Sequence, residues 1–553
     1  MKLISILKLS NFRIGRFLLF CFLAILHVEG ACQTGLVQLP VQHQFYARDL
    51  KTSSATVTMK GFPENAMLYL RYSDQQLTKQ LTIQSVHQIF GLTDTLHSGL
   101  SHYRIEFQDA AGHVVYAADS LLVGDCFLVN GQSNAEARKK DSTSFADRSP
   151  FIKAYGSGNE NGYSKKWYIA DGDGNRYVEG SIGQLALSFA GQLVEKTGIP
   201  ICIINAAHGS QQISFFLPDV QDSTGLKSNY GRTLSRLTDA GLQSHVRGII
   251  WYQGEQDAAS GVDEETYMDQ LNSLYNHWLR TYPSMEQVYI FQIRMGCKTP
   301  WQKIAQIQKA QQTFADHYIN VEILSTNFAD QFKDSCHFTY TNGYKRLATQ
   351  LANVVLAKQY TNGSLNQSLP LKAVQAKVYD GHWLSLKLDT HPDQIEWDPE
   401  MAFEFRLDTQ LIHAQNIWVN ENFVNLEFKQ SIDTFHTISY SGHAGLAEPS
   451  LYHSAQAGLL SFYDLPIESN ASYDSVLLCQ SLAGGQTILF ANTSRKEPVS
   501  LRLYNTEGML LQTDERMMAP GKNQLPEYHL PAGIYFLQVL RLGQQQVFKW
   551  INP

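Results

Sequence analysis

Between about residues 124 and 362 the sequence sets five runs with continuous apolar centres, CFLVNG, IPICIIN, VRGIIWYQG, QVYIFQI and NVEILSTNF, in alternation with longer segments of helical periodicity. This feature constrains the fold most. A strand apolar on both faces must be covered on both faces, and a parallel sheet sandwiched between helices is the arrangement that does this. IGQLALSFAGQLVEKTG, TYMDQLNSLYNHWLRTY, WQKIAQIQKAQQTFADHY and GYKRLATQLANVVLAKQ supply the helices, and the first stops on Lys196 and Gly198 as a helix should. The expected fold is an α/β, flavodoxin-like three-layer α/β/α domain over 124–362.

The pattern on either side differs. From 36 to 123 short alternating runs such as SATVTMKGF and HYRIEFQ are punctuated by Gly, Asp and Asn, which predicts antiparallel strands. The same pattern returns over 368–470 and again over 475–553. We expect β-sandwich-like domains on both sides of the α/β domain. A length of 553 residues suits this division.

Residues 1–31 read as a signal peptide. Lys2, Lys8, Arg13 and Arg16 precede an apolar run from Phe17 to Val28, and Gly30 and Ala31 offer a cleavage site. The run is short for a membrane span, so the expectation is a chain secreted or at the cell surface, with no stable span after cleavage. The formal net charge is -7 and no Lys/Arg block stands out. That gives no footprint for nucleic acid or an anionic membrane, and an uncharged or weakly charged substrate fits better. The seven cysteines are scattered without zinc-like spacing, so no metal or other cofactor is expected.

In an open parallel sheet, ligands bind beyond the carboxyl ends of the strands, and four polar segments fall there. Gly131-Gln132-Ser133-Asn134 puts a serine on a tight strand-to-helix turn, where a nucleophile would be exposed beside backbone N–H groups. Asp334 and His337 share one loop, as a general base and its orienting acceptor would. Trp251 to Asp257 carries Gln253, an amide donor, and the acids Glu255 and Asp257. His208-Gly209-Ser210 offers the Gly209 N–H. Taken singly, each has an ordinary structural explanation. Glu255 and Asp257 also admit a glycosidase acid/base pair, and a non-catalytic glycan-binding protein is a third reading.

Together and in this order, the four segments resemble the SGNH hydrolases, and more narrowly the sialate O-acetylesterase family of carbohydrate esterases. The resemblance spans about 40–470. It rests on Gly131–Asn134, Gly209–Ser210, Trp251–Glu255 and Asp334–His337, with Gly343 and Arg346-Leu347-Ala348 following. It implies Ser133 as nucleophile, His337 as base and Asp334 as its orienting partner. Gly209 and Gln253 would join the Ser133 backbone as oxyanion donors. Gln132, His208, Ser210 and Glu255 would contact an acetylated glycan or position the loops that do. The second block departs from the family pattern: His208 stands where a glycine is usual, and the Phe215-Phe216 region replaces a tryptophan. On this scheme Cys297 and Cys336 lie past neighbouring strand ends, and a bridge between them would fix the Asp334–His337 loop. The last segment resembles the sorting domain of the type IX secretion system, through Tyr504, Asn505, Gly508, Leu530–Tyr535 and Lys549. That implies the type IX secretion machinery as a partner.

Overall fold

The computed structural model describes residues 39–552, apart from 61–66, 73–77, 83–90, 110, 158–161, 220, 222–224, 361–367, 380, 390–394, 421, 454–456, 470–475, 483–485, 492–495, 520, 526–527 and 542–543. The segment read as a signal peptide lies outside the described residues. The chain divides into two compact units, Met1–Val123 and Gly124–Pro553. The division falls where the sequence pattern changes from alternating to continuous apolar runs.

In the first unit, Ser54–Lys60 pairs antiparallel with Gly91–His97, and Met67–Tyr72 lies between Thr78–Thr82 and Tyr103–Gln108. Along Ser54–Lys60, Ala55, Val57 and Met59 point inward while Thr56, Thr58 and Lys60 stay exposed. This is the period-two pattern of a strand with one buried face. Val57, Met59, Leu96, Ile105, Phe107 and Leu121 form its core.

The second unit is built on a seven-stranded sheet of β1 (Val114–Gly131, through its second half), β2 (Ile152–Tyr155), β3 (Trp167–Ile169), β4 (Ile201–Asn205), β5 (Val246–Tyr252), β6 (Gln287–Phe291) and β7 (Val321–Leu324). The order is β7-β6-β5-β1-β4-β2-β3. All neighbours are parallel except the edge strand β3. Every residue of β5 is buried, as its unbroken apolar run requires.

The helices are α1 (Ser133–Glu136), α2 (Gln184–Thr197), α3 (Asn229–Asp239), α4 (Glu255–Ser260), α5 (Glu264–Thr281), α6 (Trp301–His317) and α7 (Lys345–Gln359). Helix α2 packs on α7, and α5 on α6. Helix α2 ends at Gly198 in the left-handed conformation that glycine adopts without penalty. The short α4 escapes the sequence reading, and so do two further features. One is α3, whose polar sequence hides a cap in which Ser228 accepts the Gly231 N–H. The other is the short β2–β3 edge.

Beyond α7, an eight-stranded sheet between Ala373 and Ser469 encloses its own core, including Leu384, Leu386, Phe405, Val424, Leu426 and Ile438. Two antiparallel sheets follow. One holds three strands from Val476 to Gln524, the other four strands from Glu497 to Asn552. The chain is thus mixed α/β with further all-β sheets on both sides in sequence. Among the described residues, no helix is long and apolar enough to cross a membrane.

Candidate active site

The site is assembled where β1 and β5, central neighbours in the sheet, end together. Gly131 closes β1 with φ 128°, and a Cβ there would stand 2.1 Å from the Tyr252 carbonyl oxygen. Only glycine allows the two strand ends to approach so closely. The Gln132 N–H then donates to that same carbonyl at 2.9 Å. The chain turns at once into α1, leaving Ser133 at its first position and partly exposed.

Gly209 lies against this serine: a Cβ on Gly209 would sit 3.5 Å from the Ser133 Cβ. Its N–H donates at 3.2 Å to Glu136, a buried carboxylate also held by Arg138 and Arg176. His208 is anchored by its own N–H to the Gly131 carbonyl at 2.8 Å, and its ring packs on Phe215 at 4.8 Å. Ser210 is exposed, with φ 60°.

Asp334 and His337 meet as a local pair. The Asp334 carboxylate lies 2.7 Å from His337 Nδ1 and accepts the backbone N–H groups of Cys336 and His337 at 3.1 and 3.0 Å. Partial burial works to raise the Asp334 pKa, but these N–H groups and the imidazole outweigh it and hold the carboxyl below the usual range. The loop is closed by the Phe332 N–H on the His337 carbonyl and bridged by a Cys297–Cys336 disulfide.

Asn134 joins the two halves. It is buried, and its Nδ2 donates to the Cys336 carbonyl at 3.1 Å and to Glu255 Oε1 at 2.7 Å. Its Oδ1 accepts the Tyr344 hydroxyl at 3.0 Å. The residue after Ser133 therefore holds the residue before His337. Asn134 was legible only as part of the motif; the signal that could have singled it out is a polar side chain next to a nucleophile turn, with no solvent to satisfy it.

Three residues read as oxyanion donors, substrate contacts or loop-positioning groups have internal partners, and for Gln253 and Gln132 the role is corrected here. Gln253 is fully buried; its amide NH₂ donates to Asp257 and, at 3.1 Å, to the Gln211 carbonyl, and its Oε1 accepts from Tyr267. Meeting an oxyanion would cost it one of these donor bonds. Gln132 Oε1 accepts the N–H groups of Gly254 and Gln256 at 3.3 and 3.1 Å, which caps α4 and keeps this side chain from substrate. Glu255 is buried in the first turn of α4. Burial raises its pKa to about 7, partly offset by the Asn134 hydrogen bond, and its Oε2 has no partner.

Asp257 is fully buried, and desolvation raises its pKa to about 6 against the Gln253 and Ile213 donors. With both carboxylates sealed inside, Glu255 and Asp257 have no face open to a glycosidic bond, so the glycosidase alternative loses its geometry.

Residues 123–357 match the family model described as carbohydrate esterase, sialic acid-specific acetylesterase. Among solved structures, a carbohydrate acetylesterase from Xanthomonas citri is similar at 16% identity with a TM-score of 0.52, covering 78% of this chain and 98% of that one. A protein from Arabidopsis thaliana aligns at 18% identity and a TM-score of 0.34 over 42% of this chain and 98% of its own. A family two carbohydrate esterase from Clostridium thermocellum, solved with cellohexaose, aligns at 12% identity and a TM-score of 0.27 over 56% of this chain and 90% of its own. At such identities the Xanthomonas structure speaks to the fold, and the other two carry no argument. No curated protein matches the chain. The family match supports a hydrolase of the carbohydrate esterase class within residues 123–357.

Proposed function

We propose that this chain is an exported carbohydrate O-acetylesterase, similar to the sialate O-acetylesterases, that removes acetyl groups from a glycan through Ser133, His337 and Asp334. The observation that carries the reading is the docking of the Asp334–His337 loop onto the Ser133 turn through Asn134 and the Cys336 carbonyl. It ties the loop of an imidazole that already has its carboxylate to the residue next to the serine, which supports a serine–imidazole pairing.

In this reading His337 takes the Ser133 proton as the hydroxyl attacks the acetyl carbonyl. Asp334 fixes the tautomer and stabilises the imidazolium. The backbone N–H groups of Ser133 and Gly209 meet the tetrahedral oxyanion, the latter by exchanging its 3.2 Å bond to Glu136. The proton then passes from His337 to the departing sugar oxygen. Water activated by the same imidazole releases acetate and frees Ser133.

The His208 and Phe215 rings, in tilted contact at 4.8 Å next to Gly209, are the aromatic faces this reading offers to a pyranose ring. Export through the N-terminal segment and by type IX machinery through residues 475–553 belongs to the same proposal.

The test is acetate release from acetylated xylan, from O-acetyl sialic acid and from 4-nitrophenyl acetate, comparing the chain with Ser133→Ala. Activity should fall at least 10³-fold while the far-UV spectrum and melting temperature hold. Activity that survives in Ser133→Ala would refute the mechanism.

A further inference from the structure

The loop that carries Asp334 and His337 has a second anchorage, in the all-β part of the chain. Residues 332–337 form a small hairpin whose base is the Gln331–Phe338 bridge. Of the three residues that lead into this base, Asp330 and Gln331 are bonded directly to the single segment His443–Ala447, and Ala329 is linked to it through Arg294. That segment leaves the strand Thr437–Tyr440 of the eight-stranded sheet.

Gln331 and Gly445 bond reciprocally: the Gln331 N–H donates to the Gly445 carbonyl at 2.8 Å, and the Gly445 N–H donates to Gln331 Oε1 at 2.7 Å. The Asp330 carboxylate accepts the Ala447 N–H at 2.6 Å. Arg294, 2% exposed, donates to the carbonyls of His443 and Leu446 from that segment, and to the Ala329 carbonyl from the other. Gln331 Nε2 also holds the Met295 carbonyl at 3.0 Å, just before the Gly296-Cys297 stretch that carries the disulfide.

Resting on the esterase reading above, the geometry points to the His443–Ala447 segment as a clamp that sets the position of His337, with Asp330 and Gln331 as positioning residues for the reaction. The disulfide and Asn134 hold the loop near its tip, while the clamp holds its base. A hairpin fixed at only one end can pivot, and a displacement of about 1 Å at a reacting group can cost about 10²-fold in rate. The all-β part is on this view a component of the active site and more than an appended glycan-binding module.

The test uses the full-length chain with Asp330→Ala, Asp330→Asn and Gln331→Ala. Asparagine keeps an oxygen acceptor for the Ala447 N–H, and alanine does not. The expected result is a kcat about 10-fold lower in both alanine variants, with KM within twofold of the parent. KM should hold while kcat falls, because the hairpin moves as a unit away from Ser133 with its Asp334–His337 contact intact, and Asp330→Asn should restore turnover to within about threefold.

Unchanged kcat in the alanine variants would overturn the clamp, and so would a fall in kcat matched by a rise in KM. So would an asparagine variant as impaired as alanine. Should Asp330→Ala fail to fold, by its melting profile, the comparison of Gln331→Ala and Asp330→Asn with the parent decides alone. Covalent labelling by a fluorophosphonate separates this inference from the reading beneath it. Labelling that persists in Ser133→Ala sinks the serine mechanism. Labelling confined to Ser133, with full activity in the alanine variants, sinks the clamp only.

Discussion

Replacing Glu255 by glutamine should change how the stability of the α/β domain depends on pH, and the size of the change follows from burial. The carboxyl titrates near 4.5 when exposed and is raised to about 7 in the folded chain, chiefly by desolvation. Between these values the folded chain keeps a proton that the unfolded chain has lost. The contribution of Glu255 to stability is therefore greatest below pH 4.5, declines between 4.5 and 7, and levels off above. At roughly 1.36 kcal/mol per tenfold change in proton affinity, ionising the buried group costs about 3 kcal/mol by pH 8.

Glutamine does not titrate, yet its oxygen still accepts the Asn134 N–H, so the variant escapes this loss. The quantity to measure is the gap in melting temperature between Glu255→Gln and the parent, by calorimetry on the full chain at pH 4.5 and pH 8. Asp257, also raised, titrates in both proteins and cancels. The gap should widen in favour of glutamine by about 3 kcal/mol, or roughly 6–12 °C for a domain of this size. Esterase turnover should stay within about tenfold of the parent, since Glu255 positions Asn134 and touches no reacting atom. Equal melting-temperature gaps at the two pH values would refute the reasoning.

Two further outcomes follow from the same geometry. Gly131→Ala should destabilise the domain by a few kcal/mol and abolish turnover, because its Cβ meets a backbone carbonyl that cannot move away; thermal unfolding with acetate assay checks this. The Cys297→Ser/Cys336→Ser pair should lower stability by up to about 4 kcal/mol, the chain-entropy expectation for a bridge across 39 residues, and a melting temperature equal to the parent's would count against it.

How much of this was open to the sequence depends on range. The parallel sheet was legible because a strand buried on both faces shows it in consecutive residues, as IIWY in β5 does. The Asp334–His337 pair was legible for a similar reason: donor and acceptor lie three residues apart. Gln132 and Gln253 were found as residues and mistaken in role, while Glu255, read as a substrate contact or a loop-positioning residue, holds Asn134. An amide or acid at a strand end looks the same in sequence whether it faces a ligand or caps the next helix. Only the partners Gly254, Gln256, Asp257 and Asn134, placed by the fold, decide between them. The clamp was hidden for the plainest reason, since Gln331 and Gly445 are over a hundred residues apart and neither is unusual alone.

The same contrast of range bears on how the site comes into being as the chain folds. Asp334 and His337 find each other within one hairpin, on the fast timescale of local closure, whereas Asn134 and Cys336 must meet across 202 residues. Because closure entropy grows only logarithmically with loop length, that distance adds little to the free-energy cost of the meeting. What it adds is a dependence: the Asp334–His337 contact is local in sequence, but catalytic competence waits on the docking of that loop onto the serine turn. Refolding should therefore recover helical signal well before it recovers turnover.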